Sequence, residues 1–147
     1  MPLNIILVTV DPQTLRRMEQ SGQPLVVYEC ELWGAPCGMC LEGTASAVSA
    51  HLRRHGITGP DSAIITCTWG GCYKTLKKGS MARHIRTHLG IKMRCSACGV
   101  VRCRHDLLRA HINSSGPCHF ATANDVPGPE GCVVVPTSWV AAHMHQG

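Results

Sequence analysis

Ten cysteines and nine histidines in 147 residues, a shortage of aromatic side chains, and a Cys/His pattern that recurs three times predict a small metal-stabilised α+β fold. The expected architecture is a tandem of ββα units with short N- and C-terminal extensions. Phe, Trp and Tyr make up only 4% of the chain, with a single Phe, so a large conventional core is poorly supplied. Cysteine in this quantity means disulfides in a secreted protein or metal in an intracellular one. The first residues, MPLNIILVTVDPQ, carry an apolar run with no positive charge ahead of it and no small-residue cleavage site beyond. They do not read as a secretory leader, and no stretch approaches the length of a membrane span. The thiols are therefore expected to be reduced and bound to metal.

The clearest unit is CTWGGCYKTLKKGSMARHIRTH. Four residues separate Cys67 from Cys72, eleven follow, and three separate His84 from His88. Zinc takes four such ligands in a tetrahedron, and this is the spacing that supplies them: a hairpin presents two thiolates, and a helix presents two imidazoles on one face. Leu76 and Met81 stand where a small metal module needs apolar plugs. The stretch resembles the two-cysteine, two-histidine zinc fingers.

Two further units flank it. In residues 28–55, Tyr28 precedes Cys30 by two positions, and His51 and His55 follow with Val48 ahead of them. The cysteine pair is ambiguous. Cys30/Cys37 leaves thirteen residues before His51 and sets Leu41 as a plug; Cys37/Cys40 leaves ten and strands Cys30. Cys30/Cys37 is the favoured pair. In residues 93–119, Cys95 and Cys98 precede His111 by twelve residues, with Leu108 as plug. The fourth ligand is Cys118 or His119, reached after Asn113-Ser-Ser-Gly-Pro ends the helix, and Cys118 is preferred. Arg102 occupies the other plug position.

Outside these units, residues 1–27 read as a strand-helix-strand extension. Residues 4–10 suit a strand, Asp11-Pro12 a capped helix start, Ser21-Gly22 its stop, and PLVVYEC a second strand. Residues 120–147 read as a linker-like tail, with a short strand in CVVV. Trp33 and Trp69 each lie between paired cysteines, which is similar to the tandem tryptophan-bearing fingers of the Zic and Gli regulators. That resemblance implies that fingers one (28–55) and two (65–88) pack on each other as one globular unit.

The resemblance covers roughly residues 28–119. It implies three structural zinc ions and a nuclear, sequence-specific binder of double-stranded DNA, most often a regulator of transcription. Between Cys67 and Ile112 ten Lys or Arg face one acid, Asp106, which suits a phosphate backbone. Finger helices read successive bases from positions −1, 3 and 6. These are Lys77, Ser80 and Arg83 in finger two, and Arg104, Leu107 and Ala110 in finger three, with Asp106 placed to buttress Arg104. Lys74, Lys78, Arg86, Lys92 and Arg94 are the expected phosphate contacts. Finger one offers Thr44, Ala47 and Ala50, which read little, so it is expected to support finger two or to meet a protein partner. The alternative function is a module that binds protein without reading DNA. No constellation for catalysis stands apart from the metal ligands, and an enzyme is not expected.

Overall fold

The computed structural model describes residues 8–32, 37–136 and 138–139. Asp11 caps the first helix, α1 (Pro12–Ser21), by accepting from the Gln13 N–H at 2.9 Å, and Gly22 closes it at φ 64°. Proline at the first turn and glycine in the left-handed C-cap are the standard stops for those ends. The strand expected over residues 4–10 lies partly outside the described residues. Within them, Val10 makes a single parallel bridge to Cys40.

The chain then repeats one order three times. First come β1 (Leu25–Glu29), β2 (Cys40–Glu42) and α2 (Ala45–Arg54). The second unit is β3 (Ile64–Thr66), β4 (Thr75–Lys77), a 3-10 turn over Lys78–Ser80, and α3 (Met81–His88). The third is β5 (Lys92–Cys95), β6 (Val101–Arg102) and α4 (His105–Ser114), followed by a 3-10 turn over Gly116–Cys118. Each pair of strands is an antiparallel hairpin. The result is a small α+β protein of short strands and helices. Among the described residues, no helix is long and apolar enough to cross a membrane.

The segment after residue 120 departs from the expected linker except at CVVV, where the expected short strand forms. Ala123–Val126 forms β7 along β5, with Met93 opposite Asp125, and Cys132–Val134 forms β8 along β1, with Val26 opposite Val133. The hairpins of the first and third units leave an edge of β1 and of β5 with unpaired backbone groups, and the returning chain pairs with both. Pro127, Gly128, Pro129 and Gly131 lie in the turn between β7 and β8. There Gly128 N–H donates to the Tyr28 hydroxyl at 2.9 Å, and a side chain on Gly128 would collide with the backbone of Leu89 at the end of α3.

Two apolar clusters follow from this layout. The larger joins the first two units: Tyr28, Leu32, Leu41, Val48 and Leu52 pack with Trp69, Met81, Ile85, Leu89 and Ile91. Trp69 is buried in it, stacks on His88, and bridges to Leu32 through the backbone. Trp33 lies outside the described residues. The smaller cluster, Met93, Cys95, Leu108 and Cys118, belongs to the third unit, and Val100 packs there while Arg102 is exposed.

Candidate metal centres

Each unit gathers one quartet of ligand atoms at the junction of hairpin and helix. Cys30, Cys37, His51 and His55 form the first, Cys67, Cys72, His84 and His88 the second, and Cys95, Cys98, His111 and Cys118 the third. Within each quartet every ligand atom lies within 4.8 Å of the others. Ligands bound tetrahedrally at zinc distances sit about 3.3 Å apart for two nitrogens and about 3.6 Å apart for nitrogen and sulfur. The observed spacings follow that pattern. Nε2 of His51 and His55 are 3.1 Å apart, and each is 3.6 Å from a cysteine sulfur. In the second quartet the corresponding values are 3.1 Å between histidines and 3.4 and 3.7 Å to sulfur. Nε2 of His111 lies 3.3 Å from Cys98. The donor sets, two thiols with two imidazoles or three thiols with one, suit a divalent transition metal.

Local chain geometry explains how the ligands meet. His51 and His55 share one face of α2, and His84 and His88 one face of α3. In the third unit α4 carries only His111, and the turn at Gly116–Cys118 swings Cys118 back into the site. Cys40 and His119, the alternative ligands, lie outside the quartets: Cys40 pairs with Glu29 in the first sheet, and His119 sits against Phe120.

The ionisable ligands are not alike. Burial pushes the Cys30 thiol up to about 12, with the Cys37 sulfur and Glu31 adding to the shift. Burial also raises Cys67, with Cys72 beside it. In the third unit the order reverses: N–H groups of the Cys95–Cys98 knuckle, that of Cys98 first, bring Cys95 down to about 6. Burial lowers His55, His84 and His88, favouring the neutral imidazole that a metal requires. The Cys30 and Cys67 thiols, which burial favours in the neutral form, become favourable thiolates with a cation beside them.

The basic side chains fall into two groups. Lys74, Lys77, Arg83, Lys92, Arg94 and Arg104 are exposed, and Ser80 is half-buried. A cleft of about 210 Å³ between the second and third units is lined by Lys74, Leu76, Ser80, Arg83, His84, Thr87 and Arg104. Arg104 is held flat by Asp106, Nε to Oδ1 at 3.0 Å and Nη2 to Oδ2 at 2.6 Å, and this pairing keeps the Asp106 carboxyl below its usual range. Leu107 is exposed on the same helix. Arg86 differs from its expected role as a phosphate contact. It is only 15% exposed, donates through Nε to the Gly43 carbonyl at 2.8 Å, and pairs with Asp125 at 3.0 Å. Those two partners lie in other units, which spacing along the chain could not reveal. Lys78 leans toward Asp61 at 3.8 Å.

Sequence reasoning also missed Asp11. Its carboxylate reaches Nδ1 of His51 at 2.9 Å, a contact between residues forty apart. No local motif signals it. Comparisons with protein-family models, with curated proteins and with solved structures find no match. The three Cys/His groups, each able to hold a metal ion and compatible with zinc-finger-like sites, therefore carry the functional reading themselves.

Proposed function

We propose that this protein is a zinc-dependent, sequence-specific binder of double-stranded DNA that acts in the nucleus as a regulator of transcription. The three quartets hold structural zinc, because closed four-ligand sites of thiolate and imidazole match that ion and keep no open position for catalysis. The second and third units enter the major groove, and the first supports them.

One observation carries this reading: Arg83 and Arg104 line the same cleft. Position 6 of one finger and position −1 of the next address neighbouring base pairs when fingers follow the groove at three base pairs each. Two guanidiniums in one cleft, one of them braced by Asp106, suit bidentate contacts to guanine edges. The exposed Lys74, Lys92 and Arg94 supply phosphate contacts around it. The first unit supports this division of labour. Thr44 caps α2 and bonds to Glu42, and Ala47 is buried, so two of its three reading positions are occupied by the fold.

A second reading, a protein-binding module, draws on exposed apolar side chains: Phe120 is 94% exposed, Ile64 65% and Tyr73 58%. Metal analysis of the purified chain followed by selection from random duplexes separates the two. Three zinc ions and an enriched site of about six base pairs are expected, with affinity falling steeply as salt rises. Zinc-loaded protein that enriches no sequence and shows no salt-dependent duplex binding would leave the protein-binding reading in its place.

A further inference from the structure

The N-terminal cap of α1 and the first metal quartet meet in one buried contact. Asp11 and His51 are each 1% exposed. Oδ2 of Asp11 accepts from Nδ1 of His51 at 2.9 Å, Nε of Arg54 lies 3.5 Å from the same oxygen, and Oδ1 accepts the Gln13 N–H. The backbone around the carboxylate is pinned as well: the Asp11 N–H donates to the Cys40 carbonyl, and the Cys40 N–H to the Thr9 carbonyl, both at 2.8 Å. A carboxylate placed this deep is costly unless its oxygens are satisfied, and here each has a partner.

We propose that Asp11 is a positioning residue of the first metal site, so that residues outside the ββα unit complete that site. A proton on Nδ1 shared with the carboxylate leaves the lone pair on Nε2. That atom faces the quartet, 3.6 Å from Cys37 Sγ and 3.1 Å from Nε2 of His55. A carboxylate behind a ligating imidazole fixes its tautomer and ring orientation and raises its basicity. Among the described residues no other quartet histidine has a carboxylate at its remote nitrogen: the bonds of His55, His84, His88 and His111 run through Nε2. Capping alone does not explain the choice of aspartate, since serine or asparagine caps equally well and serine is too short to reach His51.

This inference rests on the metal reading of the quartets, and the experiment separates the two. Full-length, zinc-loaded protein is titrated with a chelator while native mass spectrometry counts retained ions. Nitrogen-15 NMR of the imidazoles assigns which site empties. With Asp11→Ser, which keeps the cap, one ion of three should leave at about 10–100-fold lower chelator strength, and the protected Nδ1 proton of His51 should vanish. Asp11→Asn, whose one acceptor oxygen can meet either the Gln13 N–H or His51 Nδ1 where the carboxylate meets both, should fall between serine and wild type. Arg17→Ala, which breaks the pair with Glu42 at 2.8 Å on α1 but touches no ligand, should leave the first site's affinity unchanged. Asp11→Ser releasing its ions as wild type does, losing all three equally, or being matched by Arg17→Ala would overturn the inference alone. A wild-type chain that retains no ion overturns the metal reading and this inference with it.

Discussion

Three arginines show how the same side chain takes different work from its surroundings. Arg83 and Arg104 are exposed in one cleft, Arg104 held by two bonds to Asp106, and both are free to meet a ligand. Arg86, on the same helix as Arg83, is turned inward to a carbonyl and a carboxylate of other units. Arg104→Ala should therefore relax preference at one base pair, a loss of about 1–3 kcal/mol of discrimination measured by competition between duplexes. Lys92→Ala should weaken all duplexes alike and shallow the salt slope by about one charge. Arg86→Ala should act on the fold instead. Leaving the buried Gly43 carbonyl without its partner should cost about 1–3 kcal/mol in denaturant unfolding, with base preference unchanged, while the half-exposed Asp125 keeps its water. A base-specific change in Arg86→Ala without loss of stability would assign it back to the DNA.

Among the elements, helices and hairpins are locally specified, but the pairing of strands β7 and β8 is not. CVVV reads as a short strand and ANDV does not, but both are short and flanked by proline and glycine, and nothing in either says which edge it joins. They form because β1 and β5 offer open edges, and because the turn at Gly128 fits only without a side chain. Gly128→Ala should destabilise the protein by about 1–3 kcal/mol and speed amide exchange in β1 and β5 together. Separate effects, on one sheet only, would show that the two strands do not act as one strap. The helical imidazoles set a second expectation. Burial lowers His55, His84 and His88, so the folded state prefers them neutral. Their contribution is complete above their ordinary value of about 6.5 and is lost as pH falls through the lowered folded values. Metal release and loss of helix should thus coincide on acidification below that ordinary value, and a bound metal ion moves the transition further in the same direction.

At the scale of the molecule, three modules of one pattern make two cores. The first two share a single apolar cluster through Trp69, Leu52, Ile85 and Leu89, while the third keeps its own. Chelation should therefore unfold the protein in two stages, the first and second units together and the third apart, followed by circular dichroism with ion counting. Metal binding at about 10–16 kcal/mol per site dominates the stability of such units, so excess chelator should abolish the helical signal. Three equal, independent steps would contradict the shared core.

The chain's own order of residues determined where the metal quartets would form, because each closes within one hairpin, one helix and, in the third unit, the turn just after the helix. It also determined the cap and stop of α1, and the basic character of residues 67–112. Between the competing ligands Cys30 and Cys40, and Cys118 and His119, spacing left a choice that only folded geometry decided. The contacts through which the first unit packs on the second, the pairing of residues 123–134 with β1 and β5, the inward turn of Arg86 and the reach of Asp11 to His51 likewise belong to the tertiary structure. The physical reason is common to all four. Each joins groups far apart in the chain, and such contacts depend on which edges, carbonyls and ring nitrogens remain unsatisfied once the local units have formed.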